Sequence, residues 1–128
     1  MPKVHNPATI SPPLALYSHA IENAANARWL HISGQVGVEP DGSTAEGVEA
    51  QADRAFANIV AILEDAGMGV GDLVKVTSFL TSTDDIGAYR KARDKHLGDA
   101  RPASTLLVIS ALARPDLKIE IEAIAAKE

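Results

Sequence analysis

Two glutamates near the C-terminal end are the first residues of chemical interest in this sequence of 128 residues, which contains no cysteine. They lie in Lys118-Ile119-Glu120-Ile121-Glu122-Ala123-Ile124. The strict alternation predicts a strand with Ile119, Ile121 and Ala123 on one face and Glu120 and Glu122 on the other, ~6.5 Å apart. A carboxylate on a face half-withdrawn from water is suited to orienting or deprotonating a water molecule. The same pattern also describes an edge strand with a solvated charged face, and spacing alone leaves both readings open. Ser33-Gly34-Gln35 is a second candidate. A glycine between polar residues at a strand end lets a ligand approach the backbone and offers an amide to an anion, or it marks a bulge. Tyr17-Ser18-His19-Ala20 would present a phenol and an imidazole to a cleft, or fill ordinary strand positions.

Other chemistries lack their residues. His5, His19, His31 and His96 have neither helical i,i+4 spacing nor neighbouring ligands, so no metal site is expected. Gly67-Met68-Gly69-Val70-Gly71 follows a helical pattern and precedes a strand pattern, the reverse of a phosphate-cradling loop, and reads as a turn. No Gly-x-Ser-x-Gly elbow occurs. Twelve Lys and Arg against seventeen Asp and Glu give a formal charge of -5, and no basic stripe follows a phosphate backbone, so a nucleic-acid partner is not expected. Met1 to Pro7 carry no apolar signal core, and no run approaches the ~20 apolar residues of a membrane span. A cytoplasmic protein without a membrane partner is expected.

The elements that must position these residues follow from periodicity. Length and a 46% apolar, 23% charged composition fit a single domain over residues 1–128. Pro7, Pro12 and Pro13 delay regular structure until Leu14. Strands are predicted over Leu14 to Glu22 and Arg28 to Gly34, joined as a hairpin through Asn23-Ala24-Ala25-Asn26, with a short third strand over Gln35 to Val38. Val48, Ala52, Ala55, Phe56, Ile59, Leu63 and Ala66 form one apolar stripe on a helix from about Thr44 to Ala66, ended by Gly67. A strand over Leu73 to Leu80, a helix from Asp84 or Asp85 to Gly98, and strands over Ser104 to Ser110 and Lys118 to Ala126 complete the chain. The order βββαβαββ predicts an α+β domain, a mixed sheet with both helices packed on one face. Apolar residues on the other face, uncovered by any helix, predict a homo-oligomer.

Taken together, these segments resemble the RidA/YjgF (reactive intermediate deaminase) family from about Leu14 to Ala126. Tyr17-Ser18-His19-Ala20 is similar to its Tyr-Ser-Gln-Ala, and Leu30 to Gln35 to its strand ending in Ser-Gly-Gln. Glu49 to Gly67 resembles its first helix, Asp72 to Leu80 its Asp-hydrophobic-Val-Lys-x-Thr-x-Phe-Leu strand, and Ile119 to Ala125 its closing strand. The resemblance implies a chorismate-mutase-like fold of the bacillus type, a homotrimer with three clefts between subunits, and cofactor-free hydrolysis of small reactive enamines or imines to keto acids and ammonia. It implies that Glu120 lies near the attacking water, that Tyr17 is the cleft tyrosine, and that Ser33 and Gly34 form the ligand-contacting strand end.

One motif departs from the pattern. Active deaminases of the family carry Pro-x-Arg-Ser, whose arginine clamps the substrate carboxylate; here the stretch is Pro102-Ala103-Ser104-Thr105. The position after Thr105 is Leu106, and the second-helix asparagine is matched by Arg90. A lost bidentate arginine removes charge-assisted bonds worth about 1.5 to 3 kcal/mol each, so ordinary 2-imino acids should be poor substrates. Either Arg90 or Arg101 supplies the charge from another direction, or Ser104, Thr105 and the Gly34 backbone hold a neutral or larger ligand. The rival to a hydrolase is a non-catalytic trimer that binds a small molecule or a protein. A ribonuclease, a third reading attached to some relatives, is opposed by the acidic balance and the lack of a His or Lys acid pair.

Overall fold

The computed structural model describes residues 2–128. Its elements are β1 (Lys3–His5), β2 (Ala20–Glu22), β3 (Arg28–Val36), α1 (Val48–Asp65), β4 (Leu73–Leu80), α2 (Ile86–Leu97), β5 (Ala103–Val108) and β6 (Ile119–Lys127), with short 3-10 turns before β4 and α2. A four-stranded mixed sheet has the order β3-β6-β4-β5, in which only the β4 and β5 pair is parallel. β1 and β2 form a separate two-stranded ribbon, and the segment just before β2 meets the β5 edge through a bridge between Ser18 and Ala103.

The expected order of elements holds, but the first three strands differ from expectation. Residues 14–17 form no strand, and β2 is only Ala20–Glu22. Its partner is β1, inside the stretch where prolines predicted no regular structure: Lys3, Val4 and His5 lie between Pro2 and Pro7 and pair with Glu22, Ile21 and Ala20. The hairpin expected between β2 and β3 does not form: β2 pairs with β1, and β3 pairs with β6. The separate third strand is absent too. Gln35 and Val36 continue β3 across a bulge, and the chain leaves the sheet at Gly37.

The core lies between the sheet and the two helices. Phe56, Ile59 and Leu63 of α1 are 0–1% exposed, as are Ile119 and Ile121 of β6 and Leu80 of β4, so the predicted helical stripe meets the predicted strand face. The C-terminus of α1 is closed by Gly67, whose amide donates to Glu64 O at 3.0 Å while the Met68 amide donates to Leu63 O at 2.8 Å, a Schellman arrangement. On α2, Tyr89 and Leu97 are buried, and the Tyr89 hydroxyl is joined to Ser78 Oγ at 2.9 Å.

Two polar devices tie α1 to its neighbours, one to the entrance of β6 and one to α2. Gln51, 2% exposed, donates through Nε2 to Ala45 O at 3.1 Å and Asp116 O at 2.9 Å, and accepts the Lys118 amide at 2.7 Å through Oε1. It thereby fixes the chain as it enters β6. Asp53 of α1 accepts from Lys95 Nζ and pairs with His96 Nε2 of α2, both at 2.8 Å. These bonds, Lys95 first and then His96, hold its carboxyl below the ordinary value of 3.8.

Replacing Gln51 with Leu leaves two carbonyls and an amide without their buried partner and is expected to lower unfolding free energy by about 2–3 kcal/mol in urea titrations; unchanged stability would contradict its tying role. Because the Asp53 carboxyl is depressed in the folded state, its stabilisation is present above pH 3.8 and is lost as pH falls through the lower folded value. Asp53→Asn should flatten the acid limb of a stability profile below pH 3.8; an unchanged acid limb would contradict the role of this carboxylate.

Candidate active site

The face of the sheet turned away from the helices carries the first group of candidate residues. Antiparallel register sets Glu120 of β6 between Val36 of β3 and Phe79 of β4, and sets Glu122 beside Thr77. Parallel register continues these rows into β5, with Thr105 next to Thr77 and Leu107 next to Phe79. Along β6, Ile119, Ile121, Ala123 and Ala125 are buried, while Glu120 and Ile124 are half-buried and Glu122 exposed. Glu120 and Glu122 thus share one face, opposite Ile119 and Ile121, in agreement with the alternation.

The Ser33-Gly34-Gln35 candidate is a bulge: Ile32 pairs with Ala123 and Gln35 with Ile121, so three steps on β3 match two on β6. The bulge has a consequence for chemistry. A Cβ built on Gly34 would lie 2.7 Å from Glu120 Cδ and 2.9 Å from Cγ, with Oε1 nearer still. The Glu120 carboxylate therefore rests directly over the Gly34 backbone, in space that any side chain would occupy. Ser33 is exposed on the same bulge.

Thr105 is engaged by a residue that sequence reasoning left without a role. Lys75 Nζ donates to Thr105 Oγ1 at 2.6 Å, placing an ammonium on the same face as the two glutamates. The period-two set Lys75, Thr77 and Phe79 was the available signal. This face also carries exposed apolar groups, Trp29 on β3 (51% exposed) and Leu107 on β5 (45%).

The second group lies on the helix side. Ser104 is adjacent to Val76, which is 2% exposed, and so points toward α2. With Tyr17, Tyr89, Arg90, Arg93 and Leu106 it lines a half-open cavity of about 470 Å³, whose outer rim is formed by the exposed Leu14, Ala15 and Leu16. Tyr17 is held there by its neighbours. The Ser18 amide donates to Pro102 O at 3.2 Å and the Ser18 hydroxyl to Arg101 O, which docks the segment on the start of β5. The Tyr17 hydroxyl accepts the Leu14 amide at 3.3 Å, and its ring meets His19 edge-on at 5.7 Å. Arg90 lines the cavity from the exposed side of α2. Arg101 is committed elsewhere, its Nη1 donating to Gly98 O and Ala100 O at 2.9 Å each; of the two arginines considered for the missing clamp, only Arg90 reaches the cavity.

The structure therefore divides the candidates. Glu120, Gly34, Ser33 and Thr105 are on the open sheet face, whereas Tyr17, Ser104 and Arg90 surround a cavity behind β5. Within one chain the two groups are not brought together. Among the described residues no cluster of three or more His, Asp or Glu is arranged to hold a metal ion, and no helix is long and apolar enough to cross a membrane.

An α+β fold with both helices on one face of a mixed sheet, a glutamate resting over a glycine bulge and a helix-side cavity define the class to which this molecule belongs, the chorismate-mutase-like proteins of the Rid type. Residues 8–127 match the family described as Endoribonuclease L-PSP, and the chain belongs to this family, the RidA/YjgF family. It is 35% identical over 118 residues to a RutC family protein of Pyrococcus abyssi, covering 91% of this chain and 90% of that one. It is 38% identical over 99 residues, 74% of this chain and 77% of the other, to 2-iminobutanoate/2-iminopropanoate deaminase of Salmonella typhimurium. The crystal structure of a conserved Rid family protein of Yersinia pestis superposes with a TM-score of 0.87 at 32% identity, covering 98% of each chain.

Gly34→Ala tests the contact on which the open-face site is built. The carboxylate end of Glu120 is flexible, so the added methyl should displace it from the bulge in a crystal structure while changing unfolding free energy by less than about 1 kcal/mol. A carboxylate left in place would show that Gly34 is not what admits it.

Proposed function

We propose that the protein is a hydrolase of small imines or enamines, releasing ammonia and a carbonyl compound without a cofactor, and that it works as a cytoplasmic homotrimer. The observation that carries this reading is the Glu120 carboxylate over the Gly34 bulge. A half-buried carboxylate accepts a proton from water as that water attacks a C=N carbon, and the amides of the bulge are donors for charge that develops on the substrate. Relatives from Salmonella typhimurium, Escherichia coli and mouse are named 2-iminobutanoate/2-iminopropanoate deaminase, which supports the same reading.

Oligomerisation accounts for the division of the candidates. The open face, with Trp29 and Leu107 half in water, is the one an adjoining copy would cover. Such a copy would set its own cavity, with Tyr17, Ser104 and Arg90, against Glu120. Water and proton transfer then come from one subunit, and substrate binding from its neighbour.

Ser104 departs from the Pro-x-Arg-Ser pattern that the resemblance gives for active deaminases of the family. A hydroxyl cannot replace the fork of a guanidinium on a carboxylate, so 2-iminopropanoate is not the expected natural substrate, and a larger or differently held imine is. The charge of -5 opposes RNA as a substrate despite the family's description.

Ammonia release from freshly generated 2-aminoacrylate and from larger imines, compared across three chains, tests the proposal. Glu120→Gln should lower turnover by about 10²-fold or more with the mass of the assembly unchanged, and Ser104→Arg should raise turnover of the smallest imino acid. Unaltered turnover in Glu120→Gln would remove that residue from the mechanism. Tight binding of a ligand that is recovered unchanged would favour a non-catalytic binding protein.

A further inference from the structure

Of the phenol and the imidazole that Tyr17-Ser18-His19-Ala20 offers, only the phenol is sent to the cavity behind β5. Tyr17 lines it, whereas His19, half-buried, does not. The imidazole is turned instead to the segment that precedes Tyr17. His19 Nε2 lies 2.7 Å from Ser11 O, and since a carbonyl oxygen only accepts, Nε2 carries the proton. The His19 amide donates to Asn6 Oδ1, also at 2.7 Å. One residue thus holds both ends of a turn over residues 6–11, inside which the Ile10 amide donates to Pro7 O at 3.4 Å. Among the described residues, the bond to Ser11 is the one hydrogen bond that joins residues 7–13 to the rest of the chain.

Pro12 and Pro13 follow Ser11 directly. Proline fixes its own φ and keeps the residue before it extended, so Ser11-Pro12-Pro13 is a stiff link that carries the position of Ser11 forward. The next residues, Leu14, Ala15 and Leu16, are the rim of the cavity, and Leu14, 87% exposed, has little packing of its own to hold it. At the far end of the rim the Tyr17 ring stands edge-on to the His19 ring, and the Tyr17 hydroxyl accepts the Leu14 amide. The rim is therefore held at both ends by His19.

We propose that His19 is a positioning residue for this cavity, a latch that fixes the Tyr17 phenol and the rim at residues 14–16 before a ligand arrives. The proposal rests on the reading of the cavity as the substrate pocket, and it supplies what that reading lacks, an account of what orders the outer wall. A wall ordered only on binding subtracts its conformational entropy from affinity, and a wall ordered beforehand does not. Proton transfer belongs to Glu120, which His19 does not touch. Loss of the latch therefore falls on KM rather than on kcat.

Amide hydrogen exchange of the ligand-free full chain, in its native assembly, reads the latch directly, and the kinetics of imine hydrolysis read its consequence. In His19→Ala the amides of Leu14 and Tyr17 should exchange at least about tenfold faster, with the core amides of α1 and β6 unchanged. KM should rise about tenfold, with kcat within about twofold of wild type. His19→Gln places a side-chain donor near the position of Nε2 and should recover most of both effects, whereas His19→Leu, which fills the space without a donor, should not. Should His19→Ala fail to fold, Pro12→Gly combined with Pro13→Gly keeps the Ser11 bond but removes the stiffness of the link, and should raise exchange at Leu14 and KM alike. Unchanged exchange in these variants, or equal recovery by leucine and glutamine, overturns the latch. Faster exchange with KM unaltered overturns its role in binding. Exchange is measured without substrate, so a wild-type chain that hydrolyses no imine removes the hydrolase reading and leaves the latch to be decided by exchange alone.

Discussion

The alternation of β6 is the constraint on which the rest of the structure depends. One strand, paired on both sides, must satisfy two environments at once: Ile119, Ile121, Ala123 and Ala125 close the core against α1, and Glu120 and Glu122 stand on the face no helix reaches. A shift of register by one residue would bury both carboxylates beneath α1 and put the isoleucines in water. The fold resists that slip with Gln51, which holds the carbonyl of Asp116 and the amide of Lys118 at the strand's entrance. The position of the catalytic candidate is thus secured by a core hydrogen-bond network on the opposite side of the sheet.

That two-sidedness also shapes the site. The β3 bulge admits the Glu120 carboxylate, and the start of β5, anchored by Ser18, forms one wall of the cavity that holds Tyr17 and Ser104. The sheet lies between them. The two helices cover one face of the sheet, and in the proposed assembly a copy of the chain covers the other, so that assembly and construction of the site would be the same event. The open face carries both kinds of residue such a role needs: apolar groups at Trp29 and Leu107, and a polar row in which Lys75 is bonded to Thr105 near Glu122.

Much of this was legible in the sequence, for reasons that differ by element. The stripe of α1 and the alternation of β6 are long and regular, so both their type and their buried faces followed from periodicity. Strand β1 was not legible, because three residues between prolines carry no period, and their partner in β2 is itself only three residues long. The predicted hairpin of β2 with β3 did not form, since β2 pairs with β1 and β3 with the distant β6, pairings that the turn residues Asn23 to Asn26 do not decide. Glu120 and Gly34 were singled out by type and spacing, which left a solvated strand face and a simple bulge equally open, and Ser104 stood out only against the motif of the family that the chain resembles.

The central claim is that each active centre is shared, with Glu120 from one chain and the cavity from another. Subunit mixing tests it most directly: Glu120→Gln, with an intact cavity, is refolded together with Ser104→Leu, whose cavity is filled but whose Glu120 is intact. Shared centres predict that two inactive proteins regain about a quarter of the wild-type rate of ammonia release at equal proportions, the share of contacts that pair two intact halves. No recovery, in samples where mixed assemblies are demonstrated by mass, would place the whole centre within one chain and contradict the account.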